Sequence, residues 1–151
     1  MDVLNTKFIH NFYDYSNLPE DTFGQRLKKL RMIKGLSQYD LSKLTGIQRC
    51  MISSYELDQF YPTIDSINKL SSIFDVNILC KNGYSNFLLN SSNFKDKLIK
   101  WRKKNNLTKR DAANLLGISE RGYASWENGI TMNSTTFSKV KNILISHNLI
   151  Y

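Results

Sequence analysis

Two short runs in this chain hold side chains suited to reading the edges of nucleobases. The first is Gln48, Arg49, Cys50, Ser53 and Ser54, and the second is Ser119, Glu120, Arg121 and Ser125. Glutamine pairs with N6 and N7 of adenine, arginine with O6 and N7 of guanine, glutamate accepts from N4 of cytosine, and serine suits several edges. Each good bidentate contact is worth about 1–3 kcal/mol of discrimination. Such chemistry requires that these residues stand together on one exposed face.

The elements around both runs are alike. "LSQYDLSKLTGIQRCMISSYELD" from Leu36 and "LTKRDAANLLGISERGYASWENG" from Leu107 superimpose at a shift of 71 residues, and the match extends back to Phe23 on Phe94. It contains eleven identities without a gap, among them Leu27/Leu98, Arg31/Arg102, Gly46/Gly117, Ile47/Ile118 and Glu56/Glu127. Past the next loop the shift is 70, setting Ile67, Leu70 and Ile73 on Phe137, Val140 and Ile143.

Each copy reads as four short helices. Phe23, Leu27 and Leu30, like Phe94, Leu98 and Trp101, recur at the spacing of one helical face, with Arg26, Lys28 and Lys29 expected to turn outward. Ser37 and Thr108 suit N-caps of a second helix. Gly46 and Gly117 suit the positive φ of a sharp turn. A third helix is expected near 48–57 and 119–128, with Ile52, Tyr55, Tyr123 and Trp126 inward. In the last helix of the first copy, Ile64, Ile67, Leu70 and Phe74 are expected to pack, after Pro62 and a Thr63 cap. The fold expected is all-α: two tandem small helical bundles of four to five helices, each containing a helix-turn-helix. The expected boundaries are an N-terminal arm at 1–19, a first domain at 20–81, a linker at 82–92 and a second domain at 93–151.

Two short helices joined by a glycine turn, with a polar and basic outer face, can place the second helix in the major groove of DNA. Both copies resemble the phage-repressor type of helix-turn-helix domain, also called the xenobiotic-response-element family. The marks are "LRMIKGLSQYDLSKLTGI" with "YE", and "WRKKNNLTKRDAANLLGIS" with "SWENG". The resemblance implies that Gln38 and its counterpart Lys109 touch backbone and base. It gives base-reading positions to Gln48, Arg49, Cys50 and Ser54, and to Ser119, Glu120, Arg121 and Ser125. It also implies ion pairs Arg31–Glu56 and Arg102–Glu127, each spanning 25 residues, which are assigned to architecture. Asn128 in "ENG" is expected near a phosphate, and Lys109, Arg110 and Arg121, nearer the reading surface, are expected in phosphate or base contact. The first copy has "ELD" instead, where Asp58 would repel a phosphate, and Glu120 stands where a neutral side chain is commoner.

Charge agrees with a polyanionic partner without fixing it. The net charge is +8; residues 20–81 carry 9 basic and 7 acidic groups, against 11 and 4 in residues 94–151. Lys100, Arg102, Lys103 and Lys104 read as a solvated helix face with one structural arginine. No phosphate loop, metal-ligand spacing or matched nucleophile and base is visible, so no enzyme, metal or cofactor is expected. Cys50 and Cys80 are expected as reduced thiols, and His10 and His147 at the surface. No stretch is long and apolar enough to cross a membrane, and a cytoplasmic protein is expected.

The partner expected is double-stranded DNA, bound by a transcriptional regulator or repressor. A homodimer through the N-terminal arm, where Leu4, Phe8 and Phe12 share a face, or through the second domain is a further expectation. The competing reading is a protein-interaction module or antitoxin-like partner, with one or both copies packed against protein.

Overall fold

The computed structural model describes residues 14–151, and all regular structure among them is helical. The chain divides into two compact units, one ending at Lys81 and one running Asn82–Tyr151.

The first unit holds α1 (Phe23–Ile33), α2 (Gln38–Thr45), α3 (Arg49–Glu56), α4 (Ile64–Ser71) and the short α5 (Val76–Leu79). Local chemistry sets these bounds. Ser37 and Asp40 form a reciprocal capping box at α2, satisfying otherwise unpaired N–H groups. Thr63 and Asp75 cap α4 and α5. Gly46 ends α2 with φ 71°, a left-handed turn that a side chain would strain. Leu27, Leu41, Ile52 and Leu70 are fully buried at the centre, and each such side chain contributes about 1.5–3 kcal/mol.

The expectations for Arg26 and Ile64 fail in this unit. Arg26 is not outward but 2% exposed. Its guanidinium donates to the carbonyls of Leu79 (2.9 Å), Glu20 (3.1 Å) and Asp21 (2.7 Å), tying α1 to the end of α5 and to the chain before it. Burial holds its pKa below the ordinary arginine value. Ile64 is exposed because it opens the first turn of α4, whose buried side is Ser66, Ile67 and Leu70. Asp58 is exposed, and its charge is engaged by the chain itself. Its carboxylate accepts from the Gly24 N–H (2.9 Å) and the Thr22 hydroxyl (2.5 Å), capping the start of α1.

The second unit holds α6 (Gly83–Leu89), a 3₁₀ turn (Ser91–Asn93), α7 (Phe94–Lys104), α8 (Lys109–Leu116), α9 (Glu120–Glu127) and α10 (Ser134–Ser146). The linker expected at 82–92 is instead part of this core. Phe87 and Leu88 are buried, and Phe87 packs on Phe94 and Phe137 with ring centroids 5.3 and 5.1 Å apart. The Tyr84 hydroxyl donates to the Met132 carbonyl at 2.8 Å. His147, expected at the surface, is half-buried, with its ring centroid 5.1 Å from that of Trp101. Thr108 and Asp111 repeat the capping box of the first unit, and Gly117 repeats its left-handed turn at φ 69°.

Candidate nucleic-acid interface

Each unit presents the start of one helix, α3 or α9, to solvent while burying the opposite side. In α3, Ile52 and Tyr55 are buried, and the Tyr55 and Ser66 hydroxyls lie 3.1 Å apart. Gln48, Arg49 and Cys50 are exposed on the other side, with Ser53 and Ser54 half-buried. In α9, Tyr123 and Trp126 are buried, Ser119, Glu120, Arg121 and Asn128 are exposed, and Ser125 is half-buried. Burial pushes the Tyr123 phenol pKa up.

A carboxylate at the end of α3, and another at the end of α9, anchors each helix. Arg31 grips Glu56 through two contacts of 2.5 and 2.9 Å, and gives a third hydrogen bond to the Leu36 carbonyl at 2.7 Å. Arg102 grips Glu127 at 2.7 and 3.2 Å and reaches the Leu107 carbonyl at 3.3 Å. Both glutamate side chains are nearly covered, at 4% and 5% exposure. Burial alone would raise the Glu127 pKa, but hydrogen bonds from Arg102 and Tyr123 outweigh it and hold the carboxyl below its ordinary value. Each bidentate pair therefore locks three segments together: α1, the loop before α2 and the end of α3 in one unit, and α7, the loop before α8 and the end of α9 in the other.

These are two separate helix pairs with the same turn, the same anchor and the same polar outer side. The known families agree. Residues 24–79 match a helix-turn-helix domain family, and residues 98–144 match a second helix-turn-helix family. The chain carries two helix-turn-helix domains of the phage-repressor type. An uncharacterized HTH-type transcriptional regulator derived from the SPbeta prophage of Bacillus subtilis (strain 168), YonR, is 41% identical over 54 residues. That match spans 36% of this chain and 50% of the relative, so the chain aligns with about half of that protein's length. No solved structure matches the chain significantly.

The outer residues of the two helix-turn-helix domains differ in how free they are. In the first domain, the Gln38 amide donates to Glu56 at 2.9 Å, so the anchor already holds it. The Cys50 thiol donates weakly to the Gln48 side-chain oxygen at 3.7 Å. In the second domain, Lys109 lies 3.8 Å from Glu127, repeating the place of Gln38. Ser119 is occupied as the N-cap of α9, accepting from the Gly122 N–H at 3.1 Å. Ser125 donates to the Gly122 carbonyl at 2.7 Å, so its hydroxyl proton is committed to the backbone. Arg110 and Glu120 form an exposed pair at 3.2 Å.

Sequence reasoning missed one feature of this surface. Tyr39, 56% exposed on α2, lies under the Lys43 ammonium at 4.9 Å. The repeat held the signal, because Tyr39 falls on Arg110. Among the described residues no group of three or more metal-ligating side chains converges. No helix among them is long and apolar enough to cross a membrane.

Proposed function

We propose that this chain is a sequence-specific double-stranded-DNA-binding transcriptional regulator that offers α3 and α9 to the major groove as two non-identical readers. The observation that carries this reading is the pair of solvent-facing starts of α3 and α9, each backed by a buried aromatic face and an anchored glutamate. Helix-turn-helix docking presents the start of the second helix of the motif to base edges. Arg49 and Arg121 are the candidate readers of guanine, Gln48 of adenine, and Lys109, Arg110 and Asn128 are candidate phosphate contacts. Gln38 supports the reader through its hydrogen bond to Glu56. Exposed Cys50 is suited to a thymine methyl group. The relative's description as a transcriptional regulator supports the same role.

With two readers in one chain, a two-site contact does not require a second copy. A homodimer would extend the site further, and the arm proposed for that contact lies largely outside the described residues. The test is binding to a sequence selected from random duplexes, followed by footprinting and a salt titration. Two protected segments are expected, with log K falling steeply against log salt as phosphate contacts release counterions. Arg49→Ala and Arg121→Ala should each weaken one segment and relax the base preference there. Absence of duplex binding at low salt would overturn the proposal.

A further inference from the structure

Matched positions at the start of the two reading helices carry opposite charge: Arg49 opens α3, and Glu120 opens α9. Resting on the DNA-binding reading above, we propose that Glu120, oriented by Arg110, makes the second domain select cytosine, whereas Arg49 suits the first domain to guanine.

The argument begins with the chemistry of an ionised carboxylate, which only accepts hydrogen bonds. In the major groove, guanine offers N7 and O6 and thymine offers O4, all acceptors that repel it. Adenine offers a donor beside the N7 acceptor. Cytosine offers the N4 amino group, the base edge a carboxylate suits best. Glu120 is half exposed, and one of its oxygens accepts from Arg110 Nε at 3.2 Å. Its other oxygen makes no hydrogen bond to another described residue.

Arg110 supplies what a carboxylate among phosphates lacks. Its side chain is 76% exposed and its guanidinium has one of five donors engaged, leaving the rest for a backbone phosphate. The same contact fixes the carboxylate's orientation and offsets its repulsion from the duplex. The pair is dispensable to the fold: exposed ion pairs are weak, and the α8–α9 corner is already held by its core and by Arg102–Glu127. The first domain has no such pair, since Tyr39 and Arg49 fill the matching places. The feature therefore belongs to the second reader alone.

The experiment is selection of bound sequences from random duplexes by the full chain and by Glu120→Gln, Arg110→Ala and Arg110→Lys, with thermal unfolding of each as a check on folding. The wild-type chain should enrich cytosine at one position of the second half-site. Glu120→Gln should move that enrichment to adenine, changing the base preference roughly tenfold or more, because a glutamine pairs with adenine N6 and N7. Arg110→Ala should flatten the cytosine preference without moving it elsewhere, and Arg110→Lys should restore part of it. If Glu120→Gln selects the wild-type bases at every position, or Arg110→Ala leaves the preference unchanged, the inference is overturned. If the wild-type chain enriches no sequence at all, the DNA-binding reading itself falls, a separate result.

Discussion

Gly24 sets how closely α1 lies against the end of α3. A Cβ placed there would stand 2.2 Å from the Tyr55 carbonyl oxygen and 2.8 Å from the Asp58 carboxylate that caps the helix. The first obstacle is backbone, so it cannot swing aside as a side chain does. Gly24→Ala is therefore expected to destabilise the first domain by about 1–3 kcal/mol, the usual range for forcing added volume into a packed contact. A lowered urea midpoint in circular dichroism checks this. Gly122→Ala is the control. Its Cβ would meet only the Ser119 hydroxyl at 3.1 Å, and alanine lowers the backbone entropy cost of a helix by about 0.5–1 kcal/mol. The second domain should therefore change little. The second copy has Lys95 where the first has Gly24, and Gly129 where the first has Asp58. The two domains thus solve the same helix approach with different residues.

The second domain's anchor makes a pH prediction at the level of helices. Glu127 has a folded pKa below the ordinary 4.5, because hydrogen bonds from Arg102 and Tyr123 outweigh the burial that opposes them. A group of this sign contributes stability in full above its unfolded pKa and loses it as pH falls through the folded value. Asp111, held below its ordinary value by the Thr108 hydrogen bonds, acts in the same direction. The domain's melting temperature should stay level above about pH 5 and drop below about pH 4.5. Both tryptophans, Trp101 and Trp126, lie in this domain, so their fluorescence isolates its transition. Glu127→Gln should flatten the acid limb while lowering stability at neutral pH. Arg102→Met should cost up to about 3–5 kcal/mol at neutral pH, because it removes the bidentate partner of a buried carboxylate and leaves Lys109 at 3.8 Å as the nearest charge. A wild-type acid limb that persists in Glu127→Gln would assign it to other carboxylates. Elements such as these were legible in the sequence because their signals are local. Ser37, Thr108, Gly46 and Gly117 act within a turn of themselves, and the Arg-to-Glu spacing stood out by occurring twice. Arg26 was not legible, because the carbonyl that draws it inward belongs to Leu79, 53 residues away. Helical periodicity alone faces it outward. For the outer residues, the sequence carried the side but not their competing partners: nothing local shows that Gln38 is held by Glu56 or that Arg110 meets Glu120.

At the scale of the whole chain, the repeat is unequal in both charge and construction. The second unit carries 11 basic and 4 acidic side chains, so the field that attracts a polyanion is concentrated there. Among the described residues its additional helix also lies differently: α6 precedes the motif, whereas α5 follows it in the first unit. The signal for α6 was present, since Tyr84, Phe87 and Leu88 recur at helical spacing. The Asn- and Ser-rich residues around it made the segment read as a linker. Magnitudes decide how much this matters. Domains of about 60–70 residues bury only about 60% of their unfolded surface, and stabilities near 5 kcal/mol are ordinary for them. Losing a buried phenylalanine alone costs about 3–5 kcal/mol. A fragment of residues 82–151 should therefore unfold cooperatively, with both tryptophans reporting one transition. A fragment of residues 94–151 lacks Phe87 and Leu88 and gives up the Tyr84 bond to Met132, as well as the Gly83 carbonyl that accepts from the Tyr151 hydroxyl at 3.1 Å. It should show no cooperative melt at 25 °C, although it contains the whole helix-turn-helix match at 98–144. The milder Phe87→Ala change in the full chain should lower the same tryptophan transition and leave the first domain's transition where it was. A cooperative melt from the 94–151 fragment, at the temperature of the longer one, would reduce α6 to a passive connector.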